Sequence, residues 1–112
     1  MYGIPNCDTI KKARAWLERH GIEYRFHDYK KAGIDADTLR QWSRELSVDA
    51  LINKRGTTWR KLDEAERRGI EDNEDAAVAL MMANPSLIKR PVLDTGRQRI
   101  LGFDEARYES LL

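Results

Sequence analysis

The sequence predicts an α/β fold: a four-stranded mixed sheet with helices packed on it and further helices inserted midway. Three observations predict it. A short apolar run, Tyr2-Gly3-Ile4, is followed by a helical repeat and then by an alternating run, Ile22 to Phe26. Near the other end, Pro91-Val92-Leu93 and Arg99-Ile100-Leu101 flank Thr95-Gly96-Arg97-Gln98, the pattern of a hairpin. Between these halves lies a long charged stretch whose apolar residues recur at helical spacing.

Each element has a local reason. Pro5-Asn6 ends the first strand, because proline cannot continue a ladder. Ile10, Ala13, Trp16, Leu17 and His20 then fall on one helical face, and Gly21 is a natural stop. Ile22, Tyr24 and Phe26 alternate with Glu23, Arg25 and His27, which predicts a second strand. A strand–helix–strand unit of this length gives two parallel strands with a right-handed crossover. After a loop at Gly33, Asp35 or Asp37 caps a helix carrying Leu39, Trp42 and Leu46. Val48, Leu51 and Ile52 suggest one more short helix.

Asn53 to Thr58 reads as a polar loop, and Trp59 to Asp72 as at best one short helix. Asp75 to Ala83 is a better helix, ended by Asn84-Pro85. Asp104 caps a last helix with Tyr108, Leu111 and Leu112. The order is βαβ, a helical middle, then ββα. That is the outline of a thioredoxin-like fold, with the middle helices inserted between its two halves and residues 1–112 forming a single domain.

Composition narrows the function classes. A chain of 112 residues with 35% charged and 41% hydrophobic residues can bury one modest core unaided. A formal net charge of +1 gives no general drive toward nucleic acid or acidic membrane. No run approaches the roughly 20 apolar residues of a membrane span, and no signal-peptide pattern is present. These features place the protein in the cytoplasm, away from membranes and without direct nucleic-acid binding. One cysteine and two scattered histidines offer no metal-ligand spacing, and no glycine-rich phosphate loop occurs.

The single cysteine, Cys7, is the residue that can carry chemistry. It lies at the strand–helix junction, where helix amides and nearby cations lower a thiol pKa from about 8.5 toward neutrality. The hydroxyl of Thr9 and the ammonium groups of Lys11 and Lys12 are within a turn. Asp8 works against ionisation. A lone cysteine is equally read as a buried structural residue. Lys89-Arg90-Pro91 precedes the first hairpin strand. If that strand lies beside the N-terminal one, Arg90 and Pro91 approach Cys7, and Arg90 can hold an oxyanion or a carboxylate. Taken alone, the pair Lys89-Arg90 reads as solvated. Asn53-Lys54-Arg55-Gly56 offers amide and cationic donors for a wall of an anion site, or else a solvated turn.

Several stretches together resemble the arsenate-reductase-like (ArsC/Spx) family, and within it the small YffB-type branch. They are Tyr2 to Ala13, reading YGIPNCDTIKKA, then Phe26 to Tyr29, Arg55 to Leu62 and Ile88 to Leu93. The resemblance runs over nearly the whole chain in order. It implies a thioredoxin-like fold with a helical insertion. It makes Cys7 the nucleophile, Arg90 an anion-site arginine and Pro91 a cis proline beside the site. Asn6, Thr9, Lys11, Asn53, Lys54 and Arg55 complete the implied substrate-binding set.

The departures from the family pattern carry information too. Arsenate reductases are expected to place further arginines where this chain has Asn53 and Gly102. Spx regulators, which bind RNA polymerase, carry Cys-x-x-Cys, whereas here the second position is Ile10, which excludes an internal disulfide switch. The resemblance therefore implies a thiol reductase acting on a disulfide, mixed disulfide or oxyanion. No cofactor is expected to be bound, glutathione is the expected co-substrate and glutaredoxin a further expected partner. The alternatives are a glutathione- and glutaredoxin-coupled arsenate reductase and a regulator that docks on RNA polymerase.

Overall fold

The computed structural model describes residues 1–5, 7–71 and 73–112. The chain divides into two compact units, one formed by Met1–Ala32 with Arg90–Leu112 and the other by Gly33–Lys89.

The first unit holds the sheet. Strand β1 (Tyr2–Gly3) is followed by helix α1 (Asp8–Arg19), strand β2 (His27–Asp28) and a single turn, α2 (Tyr29–Ala32). The chain returns as β3 (Val92–Asp94), β4 (Arg99–Leu101) and α8 (Glu105–Leu111). The strand order is β2-β1-β3-β4, with β1 parallel to β2 and antiparallel to β3. Tyr2 therefore pairs with both His27 and Val92. The hairpin forms as the sequence predicts, with Val92 opposite Leu101 and Asp94 opposite Arg99. Its turn is closed by Thr95, whose N–H donates to the Gln98 carbonyl at 3.0 Å, and by Gly96 at φ +86°.

The predicted strand over Ile22–His27 pairs only at its last residue. Only His27 and Asp28 join the ladder, and the His27 amide also donates to the Met1 carbonyl at 2.7 Å. Ile22, Tyr24 and Phe26 are half-buried and packed against the core, while Glu23 and Arg25 are exposed. The alternation thus reports one face resting on apolar side chains, and it arises without strand pairing.

That core contains Ile10, Ala13, Trp16 and Leu17 of α1 with Leu93, Ile100 and Tyr108. Tyr108 is the hub, edge-on to Trp16 at 5.3 Å and to Phe103 at 4.9 Å. Each large side chain buried here contributes on the order of 1.5–3 kcal/mol. Asp104 caps α8 by accepting from the amides of Ala106 (2.9 Å) and Arg107 (3.4 Å), which aims Tyr108 inward.

The second unit is helical. Its elements are α3 (Ala36–Leu46), α4 (Val48–Leu51), α5 (Thr57–Lys61), α6 (Glu64–Gly69) and α7 (Glu74–Ala83), then a 3₁₀ turn at Pro85–Leu87. Asp35 caps α3 through the Thr38 amide at 2.7 Å. Leu39 and Trp42 of α3 and Ala77, Val78 and Met81 of α7 are buried, and the two helices pack together. The segment expected to give one short helix gives two. Asp63 stops α5 and starts α6 with a reciprocal capping box to Glu66, satisfying both chain ends locally. Helix α5 also begins at Thr57, inside the stretch read as loop.

Candidate active site

Cys7 occupies the N-cap of α1 with an extended backbone, φ −102° and ψ 131°. Its carbonyl accepts the first helical bond, from Lys11 N–H at 3.0 Å. The amides of the following residues are left without helical partners, as at any helix start. Two of them, Ile10 and Thr9, point at the Cys7 sulfur.

The second half of the site arrives on β3. Pairing of β3 with β1 brings Arg90, at the foot of β3, to the Cys7 side chain, where its guanidinium hydrogen-bonds the sulfur. The Arg90–Pro91 peptide is cis, Pro91 is buried, and its carbonyl accepts from the Gly102 amide at 2.9 Å.

Electrostatics favour the thiolate. Burial opposes ionisation of Cys7, but the Ile10 amide, the Arg90 side chain and the Thr9 amide together outweigh it, with the Arg90 charge adding to them. The thiol pKa lies below that of an ordinary cysteine. The sulfur is partly exposed, so a reacting partner can reach it.

The structure thus brings Cys7, Thr9 and Arg90 together, with Pro91 following Arg90 through the cis bond. Thr9 acts through its amide rather than the hydroxyl expected from the sequence. Lys11 and Lys12 are exposed, and the cation that acts on the thiolate is Arg90. Asn6 lies outside the described residues. Asn53, Lys54 and Arg55 belong to the second unit. There the Asn53 side chain accepts from the Arg55 amide at 3.2 Å, Lys54 pairs with Asp49, and Arg55 is exposed.

Two residues of this region escaped sequence reasoning. A β-carbon on Gly3 would lie 2.3 Å from Ile10 Cδ1 and 3.8 Å from Arg90 Cβ. Glycine at this position lets α1 close on β1, while Arg90 would be in ordinary contact with a β-carbon there. The signal was there, a glycine inside a strand, which marks close approach. Tyr29 is the other. It is 1% exposed and its ring lies 6.2 Å from that of Tyr2. Burial first, and then Tyr2, push its phenol pKa far up, while the Arg90 charge pulls the other way. It stays a neutral, buried hydroxyl.

A mixed sheet of this order with an activated N-cap cysteine defines a thiol-bearing protein of thioredoxin-like fold. The comparisons then fix the family. The model of the ArsC family matches residues 2–111, and the chain belongs to that family. A solved structure named YFFB protein superposes with a TM-score of 0.93 at 49% identity, covering 99% of this chain and 96% of that one. An arsenate reductase (ArsC) related protein from Brucella melitensis is 50% identical with a TM-score of 0.76, over 98% and 90% of the two chains. Among curated relatives, an uncharacterised protein of Haemophilus influenzae is 42% identical over 98% of this chain and 95% of its own. The global transcriptional regulator Spx of Streptococcus pyogenes is 30% identical over 100% of this chain and 83% of its own.

Proposed function

We propose that this protein is a glutathione-dependent thiol reductase of the cytoplasm, with Cys7 as its nucleophile. The observation that carries the reading is the convergence of the Arg90 guanidinium and the Ile10 and Thr9 amides on one partly exposed sulfur. The Cys7 thiolate attacks a sulfur of a glutathione mixed disulfide, R–S–S–G. The S–S bond breaks, R–S⁻ leaves and takes a proton from water, and Cys7 is held as a mixed disulfide with glutathione. The sequence has no second cysteine, so a second glutathione thiolate must attack that adduct. Oxidised glutathione leaves and the Cys7 thiolate is restored. In this reading Arg90 binds a glutathione carboxylate and favours the thiolate as leaving group, roles supported by its hydrogen bond to the Cys7 sulfur.

The test is turnover of a glutathione mixed disulfide, measured as oxidised glutathione released in the presence of glutathione. The parent protein should turn over and Cys7→Ser should not, because a serine hydroxyl stays protonated near neutral pH. Turnover by the serine variant at the parent rate would sink the reading. The likeness to Spx supports a second reading, a regulator that docks on RNA polymerase. A polymerase pull-down that is stable and indifferent to Cys7→Ser would favour it.

A further inference from the structure

The helical second unit contains a groove of about 620 Å³ whose lining includes Ile52, Trp59, Arg67 and Ile70. Its size falls in the range of small-molecule sites, roughly 300–1,000 Å³. Ile52 and Ile70 are buried and provide an apolar floor, and Trp59 is half-buried at its side. Two cations lie over the Trp59 ring, Lys54 Nζ at 5.6 Å and Arg67 Cζ at 5.7 Å from its centroid.

The two cations are not equivalent. Lys54 is ion-paired with Asp49. Arg67 donates from Nη2 to the Arg60 carbonyl at 2.9 Å, which fixes the plane of the guanidinium. Its Nε is shielded from solvent and has no acceptor, and no carboxylate among the described residues pairs with it. None of the three acids lining the groove pairs with Arg67. Asp49 holds Lys54, Glu74 faces Arg44 at 3.5 Å, and Glu71 is exposed and unpaired with Arg67. A shielded, charged donor without an acceptor is costly, and the acceptor that matches a guanidinium edge best is a carboxylate.

We propose that this groove binds a small ligand that carries a carboxylate on a flat apolar body. The carboxylate pairs with the Arg67 guanidinium, and the apolar body packs against Trp59, Ile52 and Ile70. The site uses none of the residues that act on Cys7.

Naphthalene-1-carboxylate and its neutral counterpart naphthalene-1-carboxamide are suitable probes, titrated into the ¹⁵N-labelled full chain. The acid should shift the Trp59 indole N–H and the Ile70 and Asn73 amides saturably. It should bind about tenfold or more tighter than the amide, the usual gain from a charge-assisted contact. Arg67→Met should bring the two probes to equal affinity while keeping the shifts. Equal binding of acid and amide to the unaltered protein would overturn the proposal without any variant being made. So would shifts centred on other residues, or no saturable shift up to millimolar acid.

Discussion

The Ile10 side chain occupies the space that a β-carbon on Gly3 would need, with Cδ1 only 2.3 Å from that position. Ile10 is also fully buried, so it has little room to withdraw. The helix that presents Cys7 is therefore seated on β1 through an absent side chain.

Gly3→Ala should accordingly destabilise the protein by about 1–3 kcal/mol, the usual cost of overpacking a filled site. Urea unfolding measures it. An unchanged midpoint and slope would mean that the contact relaxes freely.

Arg90→Ala should raise the Cys7 pKa. The thiolate is the reactive form, so the rate of alkylation by iodoacetamide should reach half its plateau at a higher pH than in the parent. Affinity for anionic ligands such as glutathione should fall roughly ten- to a hundredfold. The sign for stability follows from linkage. An acid whose pKa is depressed by folding stabilises the fold above its unfolded pKa, and the contribution is lost as pH falls through the folded value. Removing Arg90 should flatten that dependence. Overlapping pH–rate profiles would return Arg90 to a bystander's part.

Treatment with oxidised glutathione should add the mass of one glutathione to the protein, or give a dimer linked through Cys7. Intact mass spectrometry distinguishes these outcomes. Since the sequence has one cysteine, the parent can gain only one adduct and Cys7→Ser none. A parent protein that stays unmodified would count against glutathione as the resolving thiol.

Arsenate should be turned over more slowly than a glutathione mixed disulfide under the same glutathione and glutaredoxin supply. Near neutral pH it is largely a dianion, and an attacking thiolate brings more negative charge to it. Loss of one fixed donor from such a site typically costs a hundredfold or more. Arg90 is in place, but Asn53 carries no charge and Lys54 is paired with Asp49. Gly102 has φ +72°, a conformation that resists arginine at that position, and its amide is already given to Pro91. Arsenate turnover at or above the disulfide rate would show that these cations are not needed.

The long amphipathic helices and the hairpin were legible in the sequence because their periodicity spans enough residues to be distinctive. Cys7 at a strand–helix junction was legible for the same reason, since Ile10, Ala13 and Leu17 fix where α1 starts. Ile22–Phe26 misled because burial on one face and pairing in a ladder both produce alternation. Tyr29 was invisible because it packs on Tyr2, distant in sequence. The Trp59 groove was out of reach too. Helices of five and six residues, such as α5 and α6, are too short to show a period, and the role of Arg67 depends on the Arg60 carbonyl.

Cys7 and Arg90 stand 83 positions apart (90 − 7), yet they meet only because β3 lies beside β1. During synthesis the cysteine leaves the ribosome long before its arginine exists. Until the closing hairpin docks, the sulfur lacks its cation and has only the α1 amides to favour its ionised form. Closing so long a loop is also among the later events in folding. The lowered thiol pKa of Cys7 is thus in part a property of the assembled sheet, completed only when β3 seats against β1.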